Sequence, residues 1–133
     1  MSEVNDMAMT RDELIERLAL AVAADDALLL DGWKHLVLVS QIEAGTPDMT
    51  GFCYTGDGRA VPVAPADFAI FDVIGTLRDA MADADGGRAW QAALFRVDRA
   101  SGKVTAEFEY DDPARWAVTP ANVAARSREF APA

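Results

Sequence analysis

Four consecutive apolar residues in the first third of the chain constrain its fold more than any other feature. Leu36-Val37-Leu38-Val39 follows Trp33 and contains no polar residue. Because successive side chains of a strand point to opposite faces of a sheet, the run predicts a strand that is covered on both faces. We expect this strand to begin at Trp33 and to continue through Ile42.

A helix is predicted before this strand. Thr10-Arg11-Asp12-Glu13 has the pattern of a capping box, in which each of the two end residues accepts the backbone N–H of the other. Apolar residues then recur at helical spacing, at Leu14, Ile15, Leu18 and Val22. The helix ends between Asp25 and Gly32, where Ala27–Leu30 leaves room for one more buried turn.

A second helix is predicted in the middle of the chain, with Pro65 in its first turn and Gly86-Gly87 after its end. Its apolar stripe consists of Ile70, Val73, Ile74, Leu77 and Met81. We expect the charged residues to face away from the core: Asp72, Arg78, Asp79 and Asp83. Gly75 costs this helix roughly 1 kcal/mol relative to Ala, which a close approach to the sheet would explain.

Turn residues divide the remaining sequence into four strands and a final helix. Gly45–Asp48 predicts a turn before a strand at about 50–55, and Pro62 restricts the strand at 59–63 to an edge. A hairpin is expected from strands at 90–97 and 103–110, followed by a helix at 121–130. The order α-β-β-β-α-β-β-α predicts a single α+β domain over residues 1–133, with an antiparallel sheet and a flexible tail at 1–9.

The composition and the net charge disfavour several classes of function. No apolar run approaches the ~20 residues of a membrane span, and the N-terminus has no signal-peptide pattern, so we expect a cytoplasmic protein. Twelve Lys and Arg against 22 Asp and Glu give a net charge of −10, which disfavours binding to nucleic acid or to an anionic membrane. The negative charge either keeps the protein soluble or attracts a basic protein partner.

Catalytic and metal-binding patterns are weak in this sequence. His35 is the single histidine and Cys53 the single cysteine, so no disulfide and no usual Cys/His zinc site can form. His35 has no sequence-local partner for general base chemistry, and Cys53 lies in a predicted strand, where a small buried hydrophobe is expected. We therefore predict no catalytic residue, no metal and no cofactor.

Acidic residues cluster on the predicted hairpin. Alternation along its second strand puts Glu107, Glu109 and Asp111 on one side, and Asp112 follows directly. The cluster is open to three interpretations: a solvated strand face, a docking patch for a basic partner, or an acid–base pair. In the docking interpretation Trp116 is an aromatic anchor beside the patch.

The same hairpin carries a resemblance to a known family. Trp90, the strand Leu94-Phe95-Arg96-Val97-Asp98, the turn Gly102-Lys103-Val104 and the ending Phe108-Glu109-Tyr110-Asp111-Asp112 resemble the C-terminal hairpin of the YezG-like proteins. The resemblance covers about residues 10–116. It implies an immunity or antitoxin role, in which the acidic chain binds and neutralises a basic toxin domain without being an enzyme.

Two other function classes stay open at this stage. An acidic α+β domain of this size would also suit a secretion-chaperone-like homodimer that holds an effector. A small-molecule-binding or enzymatic domain would instead use His35 or the hairpin carboxylates in a pocket between sheet and helices.

Overall fold

The computed structural model of the chain describes residues 10–43, 46–84 and 86–132. Its elements are α1 (Arg11–Ala23), β1 (Trp33–Glu43), β2 (Thr46–Thr55), β3 (Ala60–Val63), α2 (Phe68–Ala84), β4 (Ala92–Asp98), β5 (Val104–Glu109) and α3 (Val123–Glu129). The predicted α+β class and element order are confirmed. The flexible tail predicted at 1–9 lies outside the described residues.

The five strands form one antiparallel sheet in the order β3-β2-β1-β4-β5. β1 lies at its centre and pairs with β2 on one side and with β4 on the other, so that Leu36 faces Cys53 and Val97. Helix α2 carries the chain across the sheet, from the edge at β3 to the far side of β1. The hairpin of β4 and β5 then completes the second edge.

The sheet is covered on both faces, as the apolar run predicts. Leu36 and Leu38 pack into a core beneath α1 and α2. Val37 and Val39 pack on the other face against the C-terminal segment, which contributes Trp116 and Phe130. The chain therefore has a helical layer on one face and a shorter C-terminal layer on the other. None of the described helices is both long and apolar enough to cross a membrane.

Helix α1 begins with the predicted capping box. The Glu13 N–H donates to Thr10 Oγ1 at 3.2 Å, and the Thr10 N–H donates to Glu13 Oε1 at 3.1 Å. The helix ends at Ala23, and Asp25 then turns into the protein with only 3% of its surface exposed. Its carboxylate accepts the backbone N–H groups of Ala27, Ala66 and Asp67 at 2.9–3.0 Å. Asp25 thus ties the end of α1 to the approach of α2.

Two predictions about the start of α2 and its approach to the sheet are wrong. Pro65 is not in its first turn, because the helix begins at Phe68, where Asp67 Oδ1 accepts the Ala69 N–H at 2.9 Å. A carboxylate satisfies a free N–H at a helix start, which proline cannot do. Gly75 makes no close approach to the sheet: it is exposed, and an added Cβ would meet nothing within 4 Å.

The turn predicted at Gly45–Asp48 is misplaced. Strand β2 already begins at Thr46, so Asp48 belongs to the strand, while Gly45 lies outside the described residues. Pro47 is tolerated opposite Ile42 because the Ile42 N–H donates to the Gln91 carbonyl on the β4 side, at 2.9 Å. The Ile42–Pro47 pair therefore exchanges no hydrogen bonds, and the missing proline donor costs nothing there.

Candidate functional site

Strand β5 carries two of the four hairpin carboxylates. Glu107 lies opposite Leu94 and Glu109 opposite Ala92, so both lie on the face of the sheet that the C-terminal layer covers. The expectation that they share a side is confirmed. Asp111 and Asp112 follow the end of β5 at Glu109, so strand alternation no longer determines where their side chains point.

Glu109 is bound within the protein. Its Oε2 accepts the backbone N–H groups of Asp111 at 2.9 Å and Asp112 at 3.1 Å, and its Oε1 accepts from Arg115 Nη1 at 3.0 Å. The two backbone donors, together with the guanidinium, lower the pKa of Glu109. Only 16% of its side chain is exposed. Glu109 therefore fastens the turn after β5, and little of it is available to a partner.

The other two carboxylates of the hairpin end also have partners. Asp111 forms an ion pair with Arg88, whose guanidinium lies 5.1 Å from the centre of the Tyr110 ring. Asp112 accepts the Ala114 N–H at 3.0 Å. Glu107 differs from them, because it is exposed and has no hydrogen bond or ion pair with any described residue. It is the carboxylate of the hairpin that is most available to a partner.

Trp116 lies in the core. Its side chain is 5% exposed, and it packs with Leu94 and Phe130 on the second face of the sheet. The Arg115 guanidinium lies 4.7 Å from the centre of its ring. An aromatic anchor needs a ring that a partner can reach, so the sequence interpretation of Trp116 as an exposed anchor does not match its position. The sequence did contain a signal for this burial. The apolar run of β1 requires side chains that cover the second face of the sheet, and Trp116 is one of them.

A second acidic surface lies on the outer side of α2. The α2 acidic stripe consists of Asp72, Asp79 and Asp83, which follow one another at seven and four residues along the helix. All three are exposed, and their carboxylates have no partner among the described residues. Phe68 lies at the start of the same helix and is 81% exposed. Sequence reasoning placed these aspartates on the outer side but gave them no role.

No cation among residues 10–43, 46–84 and 86–132 pairs with this stripe. Arg78 was expected to face outward with the aspartates, and that expectation is wrong. Its Nε donates to the Trp90 carbonyl at 2.7 Å, and its guanidinium lies 5.9 Å from the Trp90 ring. Because the Arg78 side chain turns away from the outer side of α2, it can donate to the Trp90 carbonyl and cover the Trp90 indole ring. The carboxylates of the stripe therefore face solvent without an ion pair to any described residue.

Other arginines are also directed at backbone carbonyls. Arg96 Nη1 donates to the Phe130 carbonyl at 2.7 Å, and Arg99 Nη1 donates to the Trp33 carbonyl at 3.1 Å. Arg126 donates to the carbonyls of Arg115 and Ala117 at 2.9 and 3.1 Å. These arginines thus connect segments that are distant in the sequence and help to hold the chain together.

His35 borders a cavity of about 220 Å³ between the sheet and the C-terminal residues Phe130 and Pro132. Its Nδ1 lies 3.2 Å from Asp98 Oδ1, and the Ser101 hydroxyl donates to Asp98 Oδ2 at 2.6 Å. The Ser101 hydroxyl holds the pKa of Asp98 below its ordinary value. A nucleophile–base pair needs the hydroxyl to donate to the imidazole. Because Ser101 donates to the carboxylate instead, this arrangement does not activate a nucleophile.

Cys53 is completely buried and free, as predicted for a small core residue. Across residues 10–43, 46–84 and 86–132, no three His, Cys, Asp or Glu side chains come together in a way that could hold a metal ion.

Neither a scan against protein-family models nor a search of curated proteins finds a match to this chain. The YezG-like resemblance therefore stays a prediction that depends on the hairpin residues and on the order of the elements before them.

Proposed function

We propose that this chain is a non-enzymatic, cytoplasmic protein-binding domain of the immunity or antitoxin type, which neutralises a basic toxin domain by covering it with an acidic surface. The observation that supports the proposal is the α2 acidic stripe. Its carboxylates have no partner in the described part of the chain, and an exposed aromatic side chain lies at the start of the same helix.

The geometry of the stripe suits a cationic surface. Asp72 and Asp83 are eleven residues apart, which corresponds to about 16 Å along a helix axis. A row of like charges on a rigid helix attracts a basic protein from a distance and accelerates its association. Phe68 adds the apolar contact area that aromatic residues supply in interfaces. The net charge of −10 acts in the same direction.

The hairpin contributes less to this proposal than its sequence suggests. The ion pairs of Glu109 with Arg115 and of Asp111 with Arg88 offset much of its negative charge. Glu107 has no ion pair with a described residue, and it remains the hairpin residue that we expect to face a partner. Partner binding by Glu109, Asp111 and Asp112 stays a prediction.

The first experiment identifies the partner by pull-down from the native host and mass spectrometry. A basic toxin domain is the expected result, and a secretion substrate would favour the chaperone-like alternative. The second experiment measures association rates across a salt series for the double variant Asp72→Lys/Asp79→Lys. We expect the association rate at low salt to fall about tenfold or more, and its salt dependence to become weaker.

The matched control is Asp31→Lys/Asp48→Lys, which changes the net charge by the same amount. Both aspartates are exposed and have no partner among the described residues. Asp31 lies in the turn before β1 and Asp48 on β2, so neither belongs to α2. We expect this control to slow association less than about threefold, as a general charge effect would. Equal effects of the two double variants would show that the stripe is not the docking surface.

A further inference from the structure

The cavity beside His35 concentrates positive charge in a protein whose net charge is −10. Arg96, Lys103 and His35 all line it. Asp98 is the one carboxylate among its described lining residues, and that carboxylate is already engaged. It accepts the Ser101 hydroxyl at 2.6 Å, and its other oxygen lies 3.2 Å from His35 Nδ1. The cavity therefore carries an excess of positive charge.

Three hydrogen-bond donors on neighbouring strands are left for a ligand. Arg96 on β4 uses Nη1 to hold the Phe130 carbonyl, and its guanidinium makes no other hydrogen bond or ion pair with a described residue. Thr105 lies directly opposite Arg96 on β5, and Lys103 precedes Thr105 by two residues and lines the same cavity. The Thr105 hydroxyl and the Lys103 ammonium have no partner among the described residues. A guanidinium, a hydroxyl and an ammonium thus belong to one wall of the cavity.

The opposite wall of this cavity is apolar. It includes Val37 on β1 together with Phe130 and Pro132 of the C-terminal layer. The volume of about 220 Å³ lies below the roughly 300–1,000 Å³ of pockets that hold drug-sized ligands. The lining therefore suits a small molecule that has an anionic end and a short apolar body.

We propose that this cavity binds a small organic carboxylate. The carboxylate group is held by Arg96, Thr105 and Lys103, and the apolar body packs on Val37 and Phe130. A carboxylate matches the planar guanidinium, which can donate two parallel N–H bonds to it. The inference goes beyond the proposed function and does not depend on it, because α2 and its acidic stripe lie on the other face of the sheet.

An inorganic anion fits this cavity less well. Phosphate would use the three donors, but it has no apolar part, so the wall around Phe130 would gain no contact from it. A neutral ligand of the same shape would leave the Arg96 guanidinium without an acceptor in a partly buried place. Both ends of the ligand are therefore needed, and each can be tested separately.

Nuclear magnetic resonance titrations of the isotope-labelled full chain at constant ionic strength test the proposal. Benzoate and butyrate are the probes, and benzamide and butyramide are their neutral counterparts. We expect at least one carboxylate to saturate below about 10 mM, with the largest shifts around Arg96 and Thr105, and its amide to bind at least tenfold more weakly. Failure of both carboxylates to saturate, or equal binding of carboxylate and amide, would overturn the proposal.

Inorganic phosphate is the competitor that separates an organic carboxylate from anions in general. We expect phosphate at the same concentration to displace less than about a tenth of the bound carboxylate, because it lacks the apolar contacts. Displacement of half or more would show a general anion site, and the choice of an organic carboxylate would then be wrong.

The two lysines of the chain provide a matched pair of variants. Lys103 lines the cavity, whereas Lys34 is exposed and does not belong to its lining. We expect Lys103→Gln to weaken carboxylate binding about fivefold and Lys34→Gln to weaken it less than twofold, although both change the net charge equally. Equal losses would mean that Lys103 acts only through the overall charge and would contradict its place in the site.

Two further variants test the donors next to Lys103. Arg96→Lys keeps the positive charge but removes the planar pair of donors, and we expect about a tenfold loss of affinity. Because Arg96 also holds the Phe130 carbonyl, Thr105→Val serves as a second variant. It removes an exposed hydroxyl at nearly constant volume, and we expect a few-fold loss with an unchanged thermal melt. Wild-type affinity in a folded Thr105→Val chain would exclude the proposed position of the carboxylate.

Discussion

Glu107 and Glu109 are two residues apart on β5, and their surroundings give them different tasks. Glu109 accepts two backbone N–H groups and one guanidinium, and it closes the turn that leads into the C-terminal layer. Glu107 is exposed and has no partner among the described residues. Of these two identical side chains on one strand face, Glu109 therefore stabilises the fold, whereas Glu107 lies exposed on the surface.

Glu109→Gln should lower the melting temperature at pH 7, whereas Glu107→Gln should leave it nearly unchanged. The folded state lowers the pKa of Glu109, so its carboxylate stabilises the fold above the ordinary pKa of a glutamate, and this contribution is lost as the pH falls through the lowered pKa. Thermal melts from pH 7 to pH 2.5 should therefore show the wild type and Glu109→Gln converging at the acid end. A constant difference would contradict this origin.

Helix α2 has a core side and a solvent side. Leu77 is completely buried beneath the helix, together with Ile70 and Ile74. Gly75 lies on the exposed side, in open space. The two sides therefore respond differently to substitution, and the stability of the helix can be changed without touching the core.

Leu77→Ala should destabilise the chain by roughly 2–5 kcal/mol in urea melts, because it removes a fully buried leucine side chain. A loss below about 0.5 kcal/mol, the size of a surface effect, would mean that the core side of α2 is misplaced.

Gly75→Ala should stabilise the chain by about 0.5–1 kcal/mol, because alanine loses less backbone entropy in a helix and its Cβ meets nothing. The measurement is the urea midpoint at unchanged slope. A destabilised Gly75→Ala would show that an atom does approach this position.

Local patterns account for the elements that sequence reasoning predicted correctly. The capping box at Thr10, the apolar run of β1 and the stripe around Leu77 each depend on residues within a few positions of one another. Contacts between distant segments were not predictable in this way. Arg88 pairs with Asp111, and Asp25 binds the backbone of Ala66, through partners that no local spacing reveals.

At the candidate site, too, some features follow from local sequence patterns and others from contacts between distant segments. The position of Glu107 and Glu109 on one side of β5 follows from strand alternation. Their unequal availability depends on Arg115, whose position is set by the packing of Trp116 into the second core. The α2 acidic stripe also depends on a contact that local spacing does not reveal. Arg78 turns to the Trp90 carbonyl, so it does not pair with the aspartates of the stripe.

At the scale of the whole molecule, the C-terminal layer completes the fold. Phe130 is 1% exposed, and its ring centre lies 6.2 Å from that of Phe52 on β2. The Tyr54 hydroxyl donates to the Ser127 carbonyl at 2.7 Å, and burial raises the pKa of Tyr54 to about 12. The layer is therefore held by apolar contacts and by a partly buried hydrogen bond, and we expect it to unfold together with the sheet.

Phe130→Ala should cost about 3–5 kcal/mol, because a buried phenylalanine leaves a cavity that the short C-terminal layer cannot refill. Circular dichroism in the far and near ultraviolet should report one shared transition. The matched control is Phe68→Ala, which removes a ring that is 81% exposed and should change stability by less than about 0.5 kcal/mol. Two separate transitions would show that the layer unfolds on its own.

The central position of β1 has a consequence during synthesis on the ribosome. One edge of β1 can pair with β2 as soon as Thr55 has emerged, but the other edge pairs with Ala92–Asp98, which are made about fifty residues after the end of β1 at Glu43. At a translation rate of about 5–20 residues per second, this edge stays open for roughly 3–10 seconds. Leu36–Val39 is an uncharged apolar strand of the kind that nucleates aggregates. The aggregation hazard of β1 therefore belongs to the nascent chain, because β4 covers that edge once the protein has folded.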